Sequence, residues 1–221
     1  MAFLLRVLDG REIPASKVFG IGRNYAEHAR EMNYDRPTEP VVFQKPTTSL
    51  LHDGGAIELL PGLGLVHHEL ELAVVLEKGG RDIPAGAALD HVLGYAVCID
   101  VTARDLQARA KKEGTPWLVS KGMDTFGPIG TVVPKDRAPA LESIEIRLDV
   151  NGKTRQVGRL RDLLFPVPDL VAWISRRITL EPGDVLMTGT PEGVGPLVAG
   201  DGLVATGTGL PPLRVSVVRR E

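Results

Sequence analysis

The 221-residue sequence has little cysteine, few aromatic residues and almost no excess of charge. Its single cysteine, Cys98, has no partner for an internal disulfide, and its apolar neighbours indicate a core position. The formal net charge of -2 provides no basic surplus for binding a nucleic acid. A long apolar run and a signal-peptide pattern are also lacking. The sequence therefore predicts a soluble, cytoplasmic protein that binds neither nucleic acid nor membrane.

Glycine and proline are abundant instead, with 25 and 17 residues. Both residues favour tight turns, so we expect short strands separated by many turns. The length suits one mixed or β-rich domain, and neither an internal repeat nor a long linker interrupts it. We therefore predict a single domain over residues 1–221, in which residues 1–16 form a short N-terminal strand or extension.

Hydrophobic periodicity predicts an α+β fold that is mostly β. Apolar runs over residues 69–76 and 93–99 predict two buried strands. The alternating segment 144–157 contains Asn151-Gly152, the strongest short signal for a β-hairpin. Helical patterns occur at residues 23–32 with Asn24 as N-cap, at residues 103–112 with Thr102 and Asp105 spaced as a capping box, and at residues 168–177.

Three carboxylates form a candidate metal site. Glu69 and Glu71 are two apart on a predicted strand, so both leave the same face with Cα atoms about 6.6 to 6.8 Å apart. Asp100 ends the second apolar run, where a bare carboxylate would pay heavily for desolvation. An isolated Glu-x-Glu is more often a solvated strand face, but this context favours a divalent cation. His67 and His68 point to opposite faces, so at most one could join, and oxygen ligands predict Mg²⁺ or Mn²⁺ rather than zinc.

Other polar residues are candidates for binding and proton transfer. His28 and Glu31 are spaced i,i+3 on a predicted helix, where the glutamate can orient the imidazole as a general base toward water, although the same pair is also typical of a helix surface. Arg23, Lys45 and Lys121 lie beside turn signals and could balance an anionic substrate. The loop 188–196 can cradle an anion, but it lacks the Gly-Lys-Ser/Thr ending of a nucleotide phosphate loop.

Six segments are informative when taken together: GRNYAEHAREM, VVFQKPTTSL, HHELELAVVLEK, YAVCIDVTARDLQ, PWLVSKGMDTFGPIG and ITLEPGDVLMTGTPEGVGP. In combination they resemble the fumarylacetoacetate hydrolase family, and in particular its short acylpyruvase and oxaloacetate decarboxylase or tautomerase branch. The likeness runs in matching order from about Lys17 to near the C-terminus. It implies a mixed β-sandwich roll with a few short helices, a homodimer, and a Mg²⁺ or Mn²⁺ ion.

The resemblance also implies residue roles. The metal ligands of the family match Glu69, Glu71 and Asp100, as the spacing already indicated. The catalytic residues match His28, Glu31 and Lys121. The substrate-contacting residues match Arg23, Lys45, Arg104, Gln107 and Thr190.

The implied function is metal-dependent hydrolysis of the C–C bond of 2,4-dioxo acids, such as acetylpyruvate or fumarylpyruvate, to pyruvate and an organic acid. An alternative is oxaloacetate tautomerase or decarboxylase activity at the same site. A more remote alternative is a non-catalytic module that binds a metal or a small acid. A glycoside hydrolase is disfavoured, because aromatic residues make up only 5% of the chain and carboxylates on one strand do not flank a bond from opposite sides.

Overall fold

The computed structural model describes residues 2–27 and 36–221. Its central sheet contains six strands in the order β12 (Val133–Pro134), β9 (Val92–Ile99), β8 (Leu70–Leu76), β15 (Val185–Met187), β3 (Val18–Gly22) and β4 (Val41–Lys45). β15 and β3 run parallel, whereas the other neighbours in this sheet are antiparallel. The sheet is therefore mixed, as the family resemblance implied.

A second sheet contains five strands in the order β14 (Lys153–Arg159), β13 (Glu145–Val150), β17 (Gly202–Gly207), β18 (Leu210–Arg219) and β6 (Ala56–Leu59). Smaller sheets pair β1 (Leu4–Arg6) with β2 (Glu12–Pro14), β5 (Leu50–Leu51) with β11 (Gly127–Pro128), and β7 (Val66–His68) with both β10 (Thr102–Ala103) and β16 (Gly195–Pro196). The helices whose bounds lie within the described residues are α1 (Arg104–Glu113), α2 (Leu118–Lys121) and α3 (Val167–Ser175), with short 3₁₀ turns at Thr47–Ser49, Ala85–His91, Leu141–Ser143 and Leu160–Asp162.

Strand β8 is buried on both faces, which explains its continuous apolar sequence. Leu70, Leu72 and Val74 pack into the larger core, which also contains the inward side chains of the five-stranded sheet. Ala73 and Val75 point the other way, into a smaller core beneath the N-terminal hairpin of β1 and β2. By strand alternation, Glu69 and Glu71 lie on the same face as Ala73 and Val75. They therefore lie at one end of the smaller core.

The predicted hairpin is confirmed. Asn151 and Gly152 connect β13 and β14 with φ angles of 52° and 73°, the left-handed conformation that a two-residue type I′ turn requires. Every second residue of β13 faces the core, as its alternation predicted. Cys98 is a fully buried core residue in β9.

The predicted capping box at Thr102 and Asp105 is wrong. The N-cap position of α1 is Ala103, which makes no side-chain cap. Thr102 instead belongs to β10 and pairs with His67 of β7. Its hydroxyl donates to the carbonyl of Asp100. The Asp105 carboxylate accepts from the backbone N–H of Leu65 at 3.1 Å, so a tertiary contact replaces the local one.

The helix predicted over residues 23–32 lies largely outside the described residues. Asn24, its predicted cap, joins two distant segments: its Oδ1 accepts from the N–H of Phe165, and its Nδ2 donates to the carbonyls of Phe165 and Thr188. None of the helices in the described ranges is long and apolar enough to cross a membrane.

Candidate metal centre and substrate pocket

The three predicted metal ligands converge at one end of the central sheet. Glu69 precedes β8, Glu71 is its second residue, and Asp100 follows the neighbouring strand β9. The antiparallel register sets Leu70 opposite Ile99, and the N–H of Asp100 donates to the carbonyl of Glu69 at 2.8 Å. One carboxylate oxygen from each residue lies within 4.8 Å of the other two, and all three residues are buried. The sheet therefore builds a compact set of oxygen donors.

Cationic side chains balance two of these carboxylates. The Lys121 ammonium contacts both Glu69, at 2.6 Å, and Asp100. Lys45 Nζ lies 2.6 Å from the other Asp100 oxygen, and Arg104 Nη2 lies 2.5 Å from Glu69 Oε1. Burial lowers the pKa of Lys45. Burial also acts to lower the pKa of Lys121, but the neighbouring carboxylates, Asp100 foremost, outweigh it and leave that pKa raised.

Glu71 has a different environment. Its Oε2 accepts the backbone N–H of Gly189 at 2.6 Å, and within the described ranges the ion pairs of this cluster reach Glu69 and Asp100 but not Glu71. Burial, together with the charges of Asp100 and Glu69, raises the pKa of Glu71 well above its usual value. A hard divalent cation fits this donor set, because it binds carboxylate oxygens and would place a positive charge next to Glu71.

Four of the five predicted substrate-binding residues line a pocket above the cluster, and the fifth, Lys45, does not. The pocket lining includes Arg23, Glu69, Glu71, Arg104, Gln107, Lys121 and Thr190. Helix α1 presents Arg104 and Gln107, whose side chains are joined by a 3.0 Å hydrogen bond. Lys45 and Asp100 lie beneath the lining as a fully buried ion pair. Arg23 has a φ of 59°, a conformation that non-glycine residues seldom adopt and that is often found at functional sites.

The remaining candidates are the predicted catalytic pair and the two histidines before Glu69. His28 and Glu31 lie outside the described residues. His67 and His68 are not part of the carboxylate cluster. His68 is buried, and its Nδ1 bonds to Gln156 Oε1 at 2.9 Å. Burial lowers the pKa of His67 to about 4, so its ring is neutral at pH 7.

The structure adds pocket residues that the sequence analysis did not select. Phe43 and Trp117 form an aromatic wall with ring centroids 5.6 Å apart, and Lys111 Nζ lies 5.2 Å from the Trp117 ring centre. Phe43 is two residues before Lys45 on β4, so strand alternation could have found it. Lys111 follows Gln107 by four residues in α1, so helical spacing could have found it as well.

Buried carboxylates at the end of a mixed sheet, below a pocket rich in cations, define a class of β-rich protein suited to bind a hard cation and a small anion. The fumarylacetoacetate (FAA) hydrolase C-terminal family model matches residues 17–218. This chain therefore belongs to the fumarylacetoacetate hydrolase family, which confirms the resemblance seen in its sequence.

Individual relatives cover nearly the whole chain. The mitochondrial oxaloacetate tautomerase FAHD1 of Arabidopsis thaliana is 49% identical over 205 residues, which span 93% of this chain and 92% of the relative. The mitochondrial oxaloacetate decarboxylase of Dictyostelium discoideum is 45% identical over 195 residues, covering 88% and 89%. Among solved structures, fumarylpyruvate hydrolase from Pseudomonas aeruginosa in complex with Mn²⁺ and pyruvate has a TM-score of 0.93 at 38% identity, covering 99% and 97%. This likeness confirms the predicted fold.

Proposed function

We propose that this chain is a divalent-metal enzyme that hydrolyses the C–C bond of 2,4-dioxo acids, such as acetylpyruvate or fumarylpyruvate, to pyruvate and an organic acid. The observation that carries the proposal is the cluster of Glu69, Glu71 and Asp100 beneath a pocket lined with cations. The similarity over 99% of the chain to a fumarylpyruvate hydrolase that holds Mn²⁺ and pyruvate supports it.

The charge of the pocket favours an anionic substrate. Its described lining contains four cationic side chains, Arg23, Arg104, Lys111 and Lys121, and two carboxylates, Glu69 and Glu71. The ion pair of Lys45 and Asp100 beneath them adds no net charge. A bound divalent cation would increase the positive excess further. Such a site suits a dianion, such as fumarylpyruvate or oxaloacetate, better than a neutral ketone.

The proposed ligands of Mg²⁺ or Mn²⁺ are Glu69, Glu71 and Asp100. When bound there, the ion supplies positive charge for the carboxylate and 2-oxo oxygens of the substrate. Arg23, Lys45, Arg104, Gln107 and Thr190 are the proposed substrate-binding residues. Lys121 places an ammonium where negative charge develops on the departing pyruvate enolate, and Glu69 and Asp100 hold it in position.

His28 and Glu31 are the proposed catalytic pair for water activation, on the strength of the sequence. In this scheme Glu31 orients the imidazole, and His28 takes a proton from a water that adds to the 4-carbonyl. The bond between C3 and C4 then breaks. C4 leaves as the carboxyl carbon of the organic acid, and C3 retains the electron pair as the enolate of pyruvate, which is protonated to give the product.

Oxaloacetate tautomerase or decarboxylase activity is the second candidate. The relatives that are 49% and 45% identical to this chain carry these two activities in their names. Loss of CO₂ from oxaloacetate leaves the same pyruvate enolate, and keto–enol exchange requires only proton transfer. One pocket can therefore serve all three reactions.

A substrate panel distinguishes these candidates. Acetylpyruvate, fumarylpyruvate and oxaloacetate are each incubated with the protein and Mg²⁺ or Mn²⁺, and the products are identified. We expect pyruvate with an organic acid from the dioxo acids. Pyruvate with CO₂ from oxaloacetate alone would support decarboxylation, and keto–enol exchange without pyruvate would support tautomerisation. Binding of these acids without turnover would support the non-catalytic module and contradict the proposal.

His28→Ala tests the water-activating role. We expect hydrolysis of acylpyruvates to fall much further than decarboxylation of oxaloacetate, because only hydrolysis requires an activated water. A general base typically contributes about 10²- to 10⁴-fold to a rate. His52→Ala, at a histidine outside the pocket lining, is the control. Equal losses in both reactions would show that His28 has a shared proton-transfer or positioning role instead.

We also propose a homodimer and a cytoplasmic location. The family resemblance supports the dimer, and light scattering of the purified protein tests it. The relatives named above from Arabidopsis thaliana and Dictyostelium discoideum are mitochondrial by name, so fractionation of the source cells is the corresponding test of location.

A further inference from the structure

Gln156 is a buried polar residue on β14, in the five-stranded sheet, that reaches toward the pocket. It pairs with Leu148, whereas the next pair along the ladder joins Asp149 to Thr154, so a β-bulge precedes it. The loop after β15 packs directly against this part of β14. A Cβ added at Gly158 would lie 2.8 Å from Pro191, and one added at Gly193 would lie 2.2 Å from the carbonyl of Arg155.

Four hydrogen bonds fix the orientation of the Gln156 amide. Its Oε1 accepts from the backbone N–H of Leu70 at 2.9 Å and bonds to His68 Nδ1 at 2.9 Å. Its Nε2 donates to Thr190 Oγ1 at 2.8 Å and to the carbonyl of Pro191 at 2.9 Å. A backbone N–H can only donate and a carbonyl can only accept, so the amide cannot be reversed. All four hydrogen-bonding positions of the side chain are used.

This arrangement determines what the Thr190 hydroxyl can do. Because Gln156 donates to Thr190 Oγ1, the hydroxyl acts as the acceptor in that bond and its own proton points away from Gln156. Thr190 lines the pocket beside Glu71 and Lys121. We propose that Gln156 is a positioning residue that holds the Thr190 hydroxyl as a hydrogen-bond donor toward the carboxylate of the bound oxo-acid. This inference rests on the proposed function.

Gln156→Glu reverses the key hydrogen bond. A carboxylate still accepts from Leu70 and His68, but it accepts the hydroxyl proton of Thr190 instead of donating to it, which turns that proton away from the substrate. Calorimetry then measures two dissociation constants, that of pyruvate for the Mn²⁺-loaded protein and that of Mn²⁺ itself. We expect the constant for pyruvate to rise about tenfold or more, and that for Mn²⁺ to stay within about twofold. Gln44→Glu, at an exposed glutamine, is the matched control.

A double-mutant cycle shows whether Gln156 acts through Thr190. Thr190→Val removes the hydroxyl and should weaken pyruvate binding as much as Gln156→Glu does. Adding Gln156→Glu to Thr190→Val should then cause no further loss. Thr190→Ser keeps the hydroxyl, so this variant should bind pyruvate as the wild type does. Independent, multiplying losses in the double variant would overturn the inference. So would a parallel rise of the Mn²⁺ constant, which would show that Gln156 acts on the carboxylate cluster.

A second variant serves if Gln156→Glu does not fold. Gln156→Met is neutral and close in shape, lacks the same donor, and should show the same coupling to Thr190. The proposed function is judged separately by turnover of the substrate panel. If the wild type binds pyruvate but turns over none of these acids, the proposed function fails and the cycle still decides the role of Gln156. If the wild type does not bind pyruvate in the presence of Mn²⁺, the inference is overturned.

Discussion

At the scale of single residues, the three clustered carboxylates are not equivalent. Glu69 and Asp100 have ammonium or guanidinium partners, whereas Glu71 has a backbone N–H from Gly189. Ionising a buried carboxyl that already faces two other carboxylates is unfavourable, which is why its pKa is raised. A divalent cation would remove that penalty. Glu71 therefore links the stability of the metal-free protein to pH.

Without bound metal, the stability of the protein should depend on pH through Glu71. In the unfolded chain Glu71 loses its proton near the ordinary value of 4.5, but the folded chain keeps the proton to a higher pH. The folded state therefore binds more protons in that window, and the free energy of unfolding should fall as pH rises from 4.5 through the raised pKa. Denaturant unfolding in a chelator across pH 4 to 8 measures this.

Glu71→Gln provides the control, because its side chain cannot ionise. The wild-type decline in stability should be reduced in this variant and in the wild type with Mn²⁺. An equally steep decline in Glu71→Gln would assign the pH dependence to other groups.

The Lys121 ammonium should contribute strongly to the stability of the metal-free protein. It contacts both Glu69 and Asp100 in the buried cluster. Breaking a buried ion pair by removing one partner typically costs about 3–5 kcal/mol, so Lys121→Met should lower the free energy of unfolding by about that amount in a chelator. Added Mn²⁺ should recover part of the loss, because it again places positive charge between the carboxylates. Lys112→Met, on the exposed side of α1, should change stability by less than about 0.5 kcal/mol.

At the scale of elements, the hairpin shows how a local signal can set a strand register. The turn requires positive φ at both of its residues, and Gly152 adopts a φ of 73° with open space around the position of a Cβ. Gly152→Ala should therefore lower the free energy of unfolding by about 1 kcal/mol through backbone strain alone. Gly86→Ala, at an exposed glycine without positive φ and with open space, is the matched control and should be nearly neutral. Thermal or denaturant unfolding of the pair measures the difference, and equal effects would contradict the role given to the turn.

The sequence pattern predicted strands β8, β9 and β13 because the side chains that are buried in each strand follow the spacing of its apolar residues. The alternation in β13 and the apolar runs of β8 and β9 are visible without tertiary information. The start of α1 was not predictable in the same way. Its expected cap, Thr102, belongs to β10 and pairs with His67 of β7. This contact joins residues 35 positions apart in the sequence, so no local spacing reveals it.

At the scale of the whole molecule, the site depends on which strands become neighbours. The Glu69 and Glu71 pair is visible in sequence, but its proximity to Asp100 follows from the pairing of β8 with β9. Lys45, at the end of β4, contacts both Asp100 and the backbone carbonyl of Lys121 at the end of α2, so this part of the site requires three segments that are distant in sequence. Gln156 comes from the other sheet altogether, so its bond to Thr190 could not be predicted from spacing. The family resemblance supplied roles for residues that periodicity alone left open.

A Mn²⁺ titration of chelator-treated protein, followed by an assay of the same samples with an acylpyruvate and with oxaloacetate, tests whether this chain is a metal-dependent enzyme. We expect one Mn²⁺ per chain in the wild type, at least about tenfold weaker binding in Glu71→Gln and Asp100→Asn, and turnover that is absent in the chelator and returns with the ion. Full turnover in the chelator, or unchanged Mn²⁺ binding in both variants, would contradict this expectation.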